Sequence, residues 1–260
     1  MPLTDAELAI AAAEAGAAAV RARFGTALDR IDKGAGDFAT AADLEAEAAI
    51  MGVIRAARPE DGVVGEEFGA TPGAGDRTWL VDPLCGTLNF AAENMLVAVN
   101  VALRVDGTTT AAASADPFAG EVFWTEGQHA YVRRHGPDQR LTPTAGTSLV
   151  EVNLDPTFRA PGMLVDPTFR HRFRPRVLST TLPLAWVAAG RRVAYLTDGD
   201  LRDSVHFAAG LALCQAAGCV VTGIDGQPLH TGEGGLIAAA DEETHALLLA
   251  TVRQHTVYKG

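Results

Sequence analysis

The spacing of apolar residues predicts two helices at the start of the chain. Alanine-rich, apolar positions run from Thr4 to about Phe24, and Thr4 precedes Glu7 by three residues, which is the spacing of a helix-capping box. A second helix is predicted from near Thr40, with apolar residues at helical spacing after it. It must end before Pro59, because the residue that precedes a proline avoids the helical conformation.

Short apolar runs replace the helical spacing after residue 60. The runs at 62–64 and 78–81 lead into acidic residues and predict buried strands that deliver carboxylates at their ends. Runs between 96 and 133, separated by Asp-Gly, Asp-Pro and Glu-Gly turns, predict an antiparallel meander. From 149 onward, strands and helices alternate. We therefore expect one domain with an α+β sub-lobe, residues 1–146, and an α/β sub-lobe, residues 147–260.

Composition narrows the class of protein. The 260 residues are 48% hydrophobic and 20% charged, which allows a well-buried core. No apolar run reaches the roughly 18 to 20 residues of a membrane helix, and the N-terminus lacks the order of a signal peptide, so we expect a cytoplasmic protein without a membrane partner. The formal charge of −11 argues against a nucleic-acid partner. Three cysteines are too few for a disulfide scaffold and are by default apolar filler: Cys85, Cys214 and Cys219.

Four segments together resemble the inositol monophosphatase family. They are Lys33-Gly34-Ala35-Gly36-Asp37-Phe38-Ala39-Thr40-Ala41-Ala42-Asp43, Gly65-Glu66-Glu67, Trp79-Leu80-Val81-Asp82-Pro83-Leu84-Cys85-Gly86-Thr87-Leu88-Asn89-Phe90, and Phe207-Ala208-Ala209-Gly210. The third is similar to the family signature Asp-Pro-x-Asp-Gly-Thr-x-Asn-Phe at all specified positions but one. The resemblance runs from about residue 5 to 255. It implies a layered αβαβα sandwich, of mixed α+β and α/β character, and a homodimer.

The resemblance also implies roles for individual residues. Members of this family hold two or three Mg²⁺ ions that bind the phosphate and activate water, and hard ions need oxygen ligands. By position, Glu66 and the Leu84 carbonyl would be metal ligands, Asp82 a bridging ligand, and Thr87 the hydroxyl that orients water. The segment with Lys33, Asp37 and Asp43 matches a third, weaker metal position, or else caps and solvates an exposed helix entrance.

Two family aspartates are replaced in this chain. Cys85 stands at the second signature aspartate, and His206 stands at the aspartate of the family's Trp-Asp motif, where Val205 replaces the tryptophan. The resemblance implies that Cys85 and His206 lie close together. Because the site has lost two carboxylates, we expect weakened or lost Mg²⁺ binding and no metal cofactor. If a metal is present, the softer ligands would suit Zn²⁺ or Fe²⁺ in a set made of Glu66, Asp82, Leu84, Cys85 and His206.

The favoured interpretation is thiol catalysis. Cys85 would attack an acyl or carbonyl group, His206 would move the proton, and Asp82 or Glu66 would orient the imidazole. The amides of Gly86 and Thr87, at the start of a short helix, would hold the oxyanion or a phosphate. The outcome would be acyl transfer, hydrolysis or cyclisation in specialised metabolism. Two alternatives stay open: a phosphomonoesterase with an altered metal site, and a non-catalytic pseudophosphatase that binds a ligand or partner.

Two further features concern the substrate. This acidic chain contains a basic island formed by four arginines: Arg170, Arg172, Arg174 and Arg176. The island is either a solvated surface or an anion-binding patch for a small-molecule substrate. That substrate could be carried as a thioester of a carrier protein or of coenzyme A. Ser179 matches the serine of the family's Gly-Ser-Ala segment, although Leu178 replaces the glycine, and it would contact substrate.

Overall fold

The computed structural model describes residues 3–26, 30–34, 37–155 and 158–256, so Ala35 and Gly36 of the first family-like segment lie outside the described residues. The chain divides into two compact units. Unit 1 comprises Met1–Arg140, Thr180–Leu182 and Ser204–Leu213, and unit 2 comprises Leu141–Ser179, Pro183–Asp203 and Cys214–Gly260. The single domain with sub-lobes at 1–146 and 147–260 stays a prediction.

The helices and strands of the described residues have the following bounds. The helices are α1 Asp5–Arg23, α2 Ala41–Ala57, α3 Thr87–Ala91, α4 Pro167–Arg172, α5 Leu182–Ala188, α6 Ala208–Ala217 and α7 Glu242–His255, with a 3-10 helix at Pro161–Val165. The strands are β1 Arg30–Gly34, β2 Asp37–Thr40, β3 Gly62–Gly65, β4 Gly69–Thr71, β5 Arg77–Cys85, β6 Ala98–Val105, β7 Thr108–Asp116, β8 Glu121–Thr125, β9 Ala130–Arg133, β10 Gln139–Arg140, β11 Leu149–Val152, β12 Arg174–Val177, β13 Ala194–Thr197, β14 Val220–Thr222 and β15 Leu236–Ala239.

Unit 1 is built on a sheet of eight described strands in the order β10-β9-β8-β7-β6-β5-β3-β4. Its strands pair antiparallel except β3 and β5, which run parallel and so bring their carboxyl ends to the same edge. Helices α1 and α2 pack on this sheet, and their apolar side chains form one core with it that includes Leu8, Ile50, Trp79 and Val101. Burial of this surface, at roughly 25 cal/mol per Å², is the main force that holds the unit together.

The N-termini of α1 and α2 are capped by threonines. Thr4 Oγ1 accepts from the Glu7 backbone amide, as the spacing predicts. At α2, Thr40 Oγ1 accepts from Ala42 N at 3.2 Å, and Thr40 N donates to Asp43 Oδ2 at 2.7 Å. This reciprocal arrangement is a capping box, because the Thr40 side chain accepts from a backbone amide at the start of α2 and the Asp43 side chain accepts from the backbone amide of Thr40.

Helix α6 packs on the sheet of unit 1 through small side chains. Ala208, Ala209 and Ala212 contact a cluster formed by Leu80, Ala102 and Ala112 of β5, β6 and β7. Because alanines let the helix backbone approach the sheet closely, the residues just before α6 are brought to the carboxyl end of β5. This packing places the segment that carries His206.

Unit 2 is built on a sheet of five described strands in the order β12-β11-β13-β15-β14. Its core contains Val150, Leu196 and Ile237 from the strands and Leu248 and Val252 from α7. Beside this core, the Arg192 guanidinium donates to the nearly fully buried Glu151 at 2.5 Å, so the buried carboxylate is paired with a cation.

The predicted helices and the meander are confirmed, with some shifted ends. The apolar pattern predicts helices over 182–191 and 204–217, whereas α5 ends at Ala188 and α6 begins at Ala208. The β1–β2 hairpin and strand β12, which lies within the arginine island, have no apolar alternation and could not be found from the pattern. Among the described residues, none of the helices combines the length and the apolar composition that crossing a bilayer requires.

Candidate functional site

Asp82 lies at the centre of the candidate site. It is fully buried on β5, in register with Asn100 of β6, and the ladder between these strands becomes irregular between Asp82 and Cys85. Leu84 N donates to Asp82 Oδ1 at 3.2 Å. Gly86 follows with φ 107°, a left-handed conformation that favours glycine, and turns the chain into α3. The irregular strand end therefore turns Asp82 and Cys85 toward one location.

Asp82, Cys85 and His206 converge. One potential ligand atom from each side chain lies within 4.8 Å of the others. His206 Nδ1 is 2.8 Å from Asp82 Oδ2. Burial alone would lower the pKa of His206, but the adjacent Asp82 carboxylate raises it to about 12. Conversely, His206 holds the pKa of Asp82 below its usual value in spite of burial. The closeness of Cys85 and His206 that the resemblance implies is present.

Glu66 contributes a second carboxylate at the end of β3. Its backbone amide donates to Val81 O at 3.1 Å, and Lys33 Nζ donates to its Oε1 at 3.2 Å. Its Oε2 is buried, has no hydrogen-bond partner among the described residues and lies 3.8 Å from His206 Nδ1. Burial, followed by the nearby charge of Asp82, raises the pKa of Glu66 to about 8. A buried carboxylate oxygen without a donor is an atom that a cation would satisfy.

Glu47 fixes the turn that follows Glu66. This buried carboxylate accepts from Glu67 N at 2.7 Å and from Phe68 N at 2.9 Å. A Cβ on Gly65 would lie 1.9 Å from Glu47 Oε1, so glycine is needed there for the close approach. The position of Glu47 in the sequence does not indicate this role, because the turn that it binds lies about 20 residues further along the chain.

Thr87 is held by an acid on α2. Its hydroxyl donates to Asp43 Oδ1 at 2.9 Å. Asp43 is fully buried and also belongs to the α2 capping box, which corrects the interpretation that it solvates an exposed helix entrance. Burial raises the pKa of Asp43, although hydrogen bonds from Thr40 and Thr87 oppose the shift. Because the Thr87 hydroxyl donates its proton to Asp43, the Thr87 oxygen is free to accept a hydrogen bond from water.

Cys85 is held by residues that the sequence did not indicate. Thr181 donates twice to Cys85 Sγ, from its backbone N–H and from its hydroxyl, both at 3.2 Å. Thr180 Oγ1 donates to the Cys85 carbonyl at 2.9 Å. Burial and the charge of Asp82 raise the pKa of the Cys85 thiol, while His206 and Thr181 oppose this shift. Residues that act through a side chain nearly a hundred positions away leave no local motif.

The donors present fit a divalent metal ion. Glu66 and Asp82 offer carboxylate oxygens, the Leu84 carbonyl oxygen lies 3.2 Å from Thr87 Oγ1, and Cys85 and His206 offer sulfur and nitrogen. The unpartnered Oε2 of Glu66 is the observation that favours a cation here. Carboxylate, carbonyl, thiolate and imidazole are all established metal ligands in proteins.

The predicted substrate residues lie in unit 2. Ser179 Oγ donates to Asp155 Oδ2 at 2.6 Å. In the arginine island, Arg172 pairs with Glu243, Arg174 donates to the carbonyl of Arg170, and Arg176 donates to that of Pro175. These contacts all join groups within unit 2, and the substrate roles of Ser179 and the island stay predictions. Cys214 is buried and donates to Leu184 O at 3.2 Å, in keeping with its role as filler.

Comparisons with known proteins point to one family. Residues 2–257 match the profile of the inositol monophosphatase family. An inositol-1-monophosphatase of Caulobacter vibrioides is 34% identical over 240 residues, covering 88% of this chain and 92% of that protein. The Nus factor SuhB of Escherichia coli K12 is 33% identical over 239 residues, with 85% of each chain covered.

Solved structures agree with these matches. The extragenic suppressor protein SuhB of Bartonella henselae has a TM-score of 0.84 at 26% identity, covering 95% of this chain and 98% of that one. An IMPase of Thermotoga maritima has a TM-score of 0.82 at 22% identity, with 95% and 96% covered. The predicted fold class, a layered sandwich of α+β type, is confirmed.

Two expectations are corrected by these findings. The expectation of no metal cofactor is wrong, because members of the matched family are Mg²⁺-dependent and relatives at 33–34% identity indicate a metal-binding site. Although two carboxylates are lost, the donors that remain at the site are still suited to a metal ion. For acyl transfer by a cysteine nucleophile there is no support, and the phosphomonoesterase alternative is the better supported of the two.

Proposed function

Because the chain belongs to the inositol monophosphatase family, we propose that it is a metal-dependent phosphomonoesterase. Its substrate would be the phosphate ester of a small polyol such as inositol, or of a sugar. The proposal takes the substrate class from the inositol-1-monophosphatase of Caulobacter vibrioides. The predicted homodimer and cytoplasmic location stay predictions that the proposal does not need.

One observation carries the proposal: a hydroxyl held by a buried acid lies on the same short stretch of chain as the metal-ligand candidates. Thr87 Oγ1 donates to Asp43 Oδ1 at 2.9 Å, two residues after Cys85 and five after Asp82. Hydrolysis of a phosphate ester needs an oriented water molecule, and a hydroxyl held in this way can accept a hydrogen bond from that water.

The residues of this chain would hold the ion and the water. Glu66, Asp82 and the Leu84 carbonyl supply oxygen ligands, together with Cys85 and His206. When bound by this set, a divalent ion would supply Lewis-acid chemistry to the phosphate ester and to its leaving oxygen.

The proton path follows from the direction of the hydrogen bonds. The Thr87 oxygen accepts a hydrogen bond from the attacking water while its own proton points to Asp43. As the water oxygen bonds to phosphorus, the ester P–O bond breaks. The water proton passes to the Thr87 oxygen, the proton of Thr87 passes to Asp43, and the leaving alkoxide takes a proton from a solvent water molecule. The raised pKa of the buried Asp43 makes it a better proton acceptor than an exposed aspartate.

The proposal is tested by measuring phosphate release. Purified protein is incubated with inositol 1-phosphate, glucose 6-phosphate, fructose 1,6-bisphosphate and p-nitrophenyl phosphate, each with Mg²⁺, Mn²⁺, Co²⁺ or Zn²⁺ and each with EDTA. We expect metal-dependent release that EDTA abolishes and that Asp82→Asn reduces to background. Absence of release across the whole panel would contradict the proposal and favour the pseudophosphatase alternative.

A further inference from the structure

A chain of hydrogen bonds ends on the sulfur of Cys85. Ser114 Oγ donates to Asn100 Oδ1 at 2.8 Å, Asn100 Nδ2 donates to Thr181 Oγ1 at 2.9 Å, and Thr181 Oγ1 donates to Cys85 Sγ at 3.2 Å. Ser114, Asn100, Thr181 and Cys85 are all buried, so these groups do not exchange partners with bulk water. We call these four residues the Cys85 relay.

The direction of the Cys85 relay is fixed by its neighbours. Asn100 Nδ2 also lies 3.4 Å from Asp82 Oδ2 and 3.5 Å from His206 O. A carboxylate and a carbonyl accept hydrogen bonds, so the atom facing them must be the amide nitrogen. Nδ2 therefore donates to Thr181 Oγ1, and the single hydroxyl proton of Thr181 is left for Cys85.

The relay suits an anionic sulfur better than a neutral one. Thr181 donates hydrogen bonds from both its backbone N–H and its hydroxyl to the Cys85 sulfur. A neutral thiol is only a weak acceptor of such bonds. A thiolate makes charge-assisted hydrogen bonds with both donors. Coordination to a divalent ion would displace the thiol proton of Cys85 to solvent and leave a thiolate ligand.

We propose that Thr181 is the positioning residue of the site, and that its two donors, oriented by Asn100, hold Cys85 Sγ as a thiolate ligand to the divalent ion shared with Asp82 and His206. The inference rests on the proposed metal-dependent function and adds a residue to it. Thr181 itself touches neither ion nor substrate. Its effect passes through the sulfur, as outer hydrogen bonds to metal ligands commonly do.

The test uses Co²⁺ as a spectroscopic probe of the metal–sulfur bond. Wild-type protein titrated with Co²⁺ should develop a sulfur-to-cobalt charge-transfer band in the near ultraviolet, and Cys85→Ser should lose it. Thr181→Val keeps the backbone N–H and the side-chain shape but removes the hydroxyl. We expect this variant to weaken the band and to raise the Kd for Co²⁺ by about 10- to 100-fold. Thr181→Ser should restore both.

Two further variants separate positioning from packing. Thr180→Val is the matched control, since Thr180 is equally buried and donates to the Cys85 carbonyl rather than to the sulfur, and its band should match the wild type. Asn100→Asp has the same shape but cannot donate, so the Thr181 hydroxyl should turn to the new carboxylate and the band should weaken as in Thr181→Val. Circular dichroism confirms that each variant is folded.

The outcomes distinguish this inference from the proposed function. Metal-dependent phosphate release by a wild-type protein whose Co²⁺ form has no sulfur band would overturn the inference and leave the phosphatase standing. Equal bands in Thr181→Val, Asn100→Asp and wild type would overturn the role of Thr181 alone. No binding of Co²⁺ and no phosphate release would overturn both proposals.

Discussion

His206 Nδ1 lies 2.8 Å from Oδ2 of Asp82, a carboxylate without solvent exposure. The pair supplies the metal-free site with a cation of its own, because Asp82 raises the pKa of His206 to about 12. Asp82 thus need not remain an uncompensated buried charge before metal binds.

This ion pair should make the metal-free protein lose stability as the pH rises. The pKa of His206 is higher in the folded protein than the model-peptide value of about 6.5, so its stabilising effect is complete below pH 6.5 and declines as the pH rises toward 12. In EDTA, the free energy of unfolding of wild type should fall more steeply between pH 6.5 and 9.5 than that of His206→Gln. The difference should stay well below the limit of about 1.4 kcal/mol per pH unit, because 42% of the side chain is exposed and water screens the charge. Equal slopes in urea denaturation would contradict the prediction.

Metal affinity should depend on the protonation of Glu66. Its pKa is raised to about 8, so a proton competes with the ion below that pH. Glu66→Gln is isosteric but cannot ionise. We expect this variant to bind metal more weakly at pH 8. In wild type, the loss of the Glu66 proton should raise the metal affinity by up to about tenfold per pH unit from pH 6 to 8, and the variant should lack this contribution. Isothermal titration with Mn²⁺ in several buffers measures this change. The same pH dependence in both proteins would mean that Glu66 does not bind the ion.

The Thr87 hydroxyl should affect catalysis and leave metal binding largely unchanged. Thr87→Val removes the oxygen that accepts from water and breaks the 2.9 Å bond to Asp43. Loss of an oriented proton path typically reduces a rate by about 10²- to 10⁴-fold, so we expect kcat to fall within that range while the Kd for Mn²⁺ changes by less than about threefold. Thr87→Ser is the control and should retain most of the activity. A fall in metal affinity without a fall in kcat would assign Thr87 to the metal instead.

The sequence was sufficient for the fold and for the residues of the signature. Helical spacing predicts α1 and α2, short apolar runs separated by turn residues predict the meander, and the motif containing Asp82, Cys85 and Thr87 is contiguous. Glu66 and His206 were found only through the order of the family-like segments. Their convergence depends on the parallel pairing of β3 with β5 and on the alanine face of α6.

The residues that support the site could not be found in this way. Glu47, Asn100 and Thr181 act through hydrogen bonds to residues between 18 and 96 positions away, and neither their type nor their spacing distinguishes them from ordinary helix, strand and loop residues. The sequence indicates Asp43 as a site residue but does not indicate that it is buried. A polar residue beside a strand end reveals its partner only after the register of the sheet is known.

Gly65 should be indispensable for the position of Glu66, since a Cβ there would lie 1.9 Å from Glu47 Oε1. In Gly65→Ala, the Glu47 side chain has to withdraw and lose its hydrogen bonds to the amides of Glu67 and Phe68. Each buried amide left without an acceptor costs about 1–3 kcal/mol, so we expect the free energy of unfolding to fall by at least about 1 kcal/mol and the affinity for Mn²⁺ to fall with it.

Gly52→Ala is the matched control for this substitution. Gly52 lies inside α2, and nothing approaches the position of its Cβ within 4 Å. Alanine should therefore stabilise the helix by roughly 0.5–1 kcal/mol without changing metal affinity. Urea denaturation and Mn²⁺ titration of both variants measure the contrast. If Gly65→Ala behaved like Gly52→Ala, the Glu47 contact would have no part in placing Glu66, and the turn after β3 would be held by the Lys33 ion pairs instead.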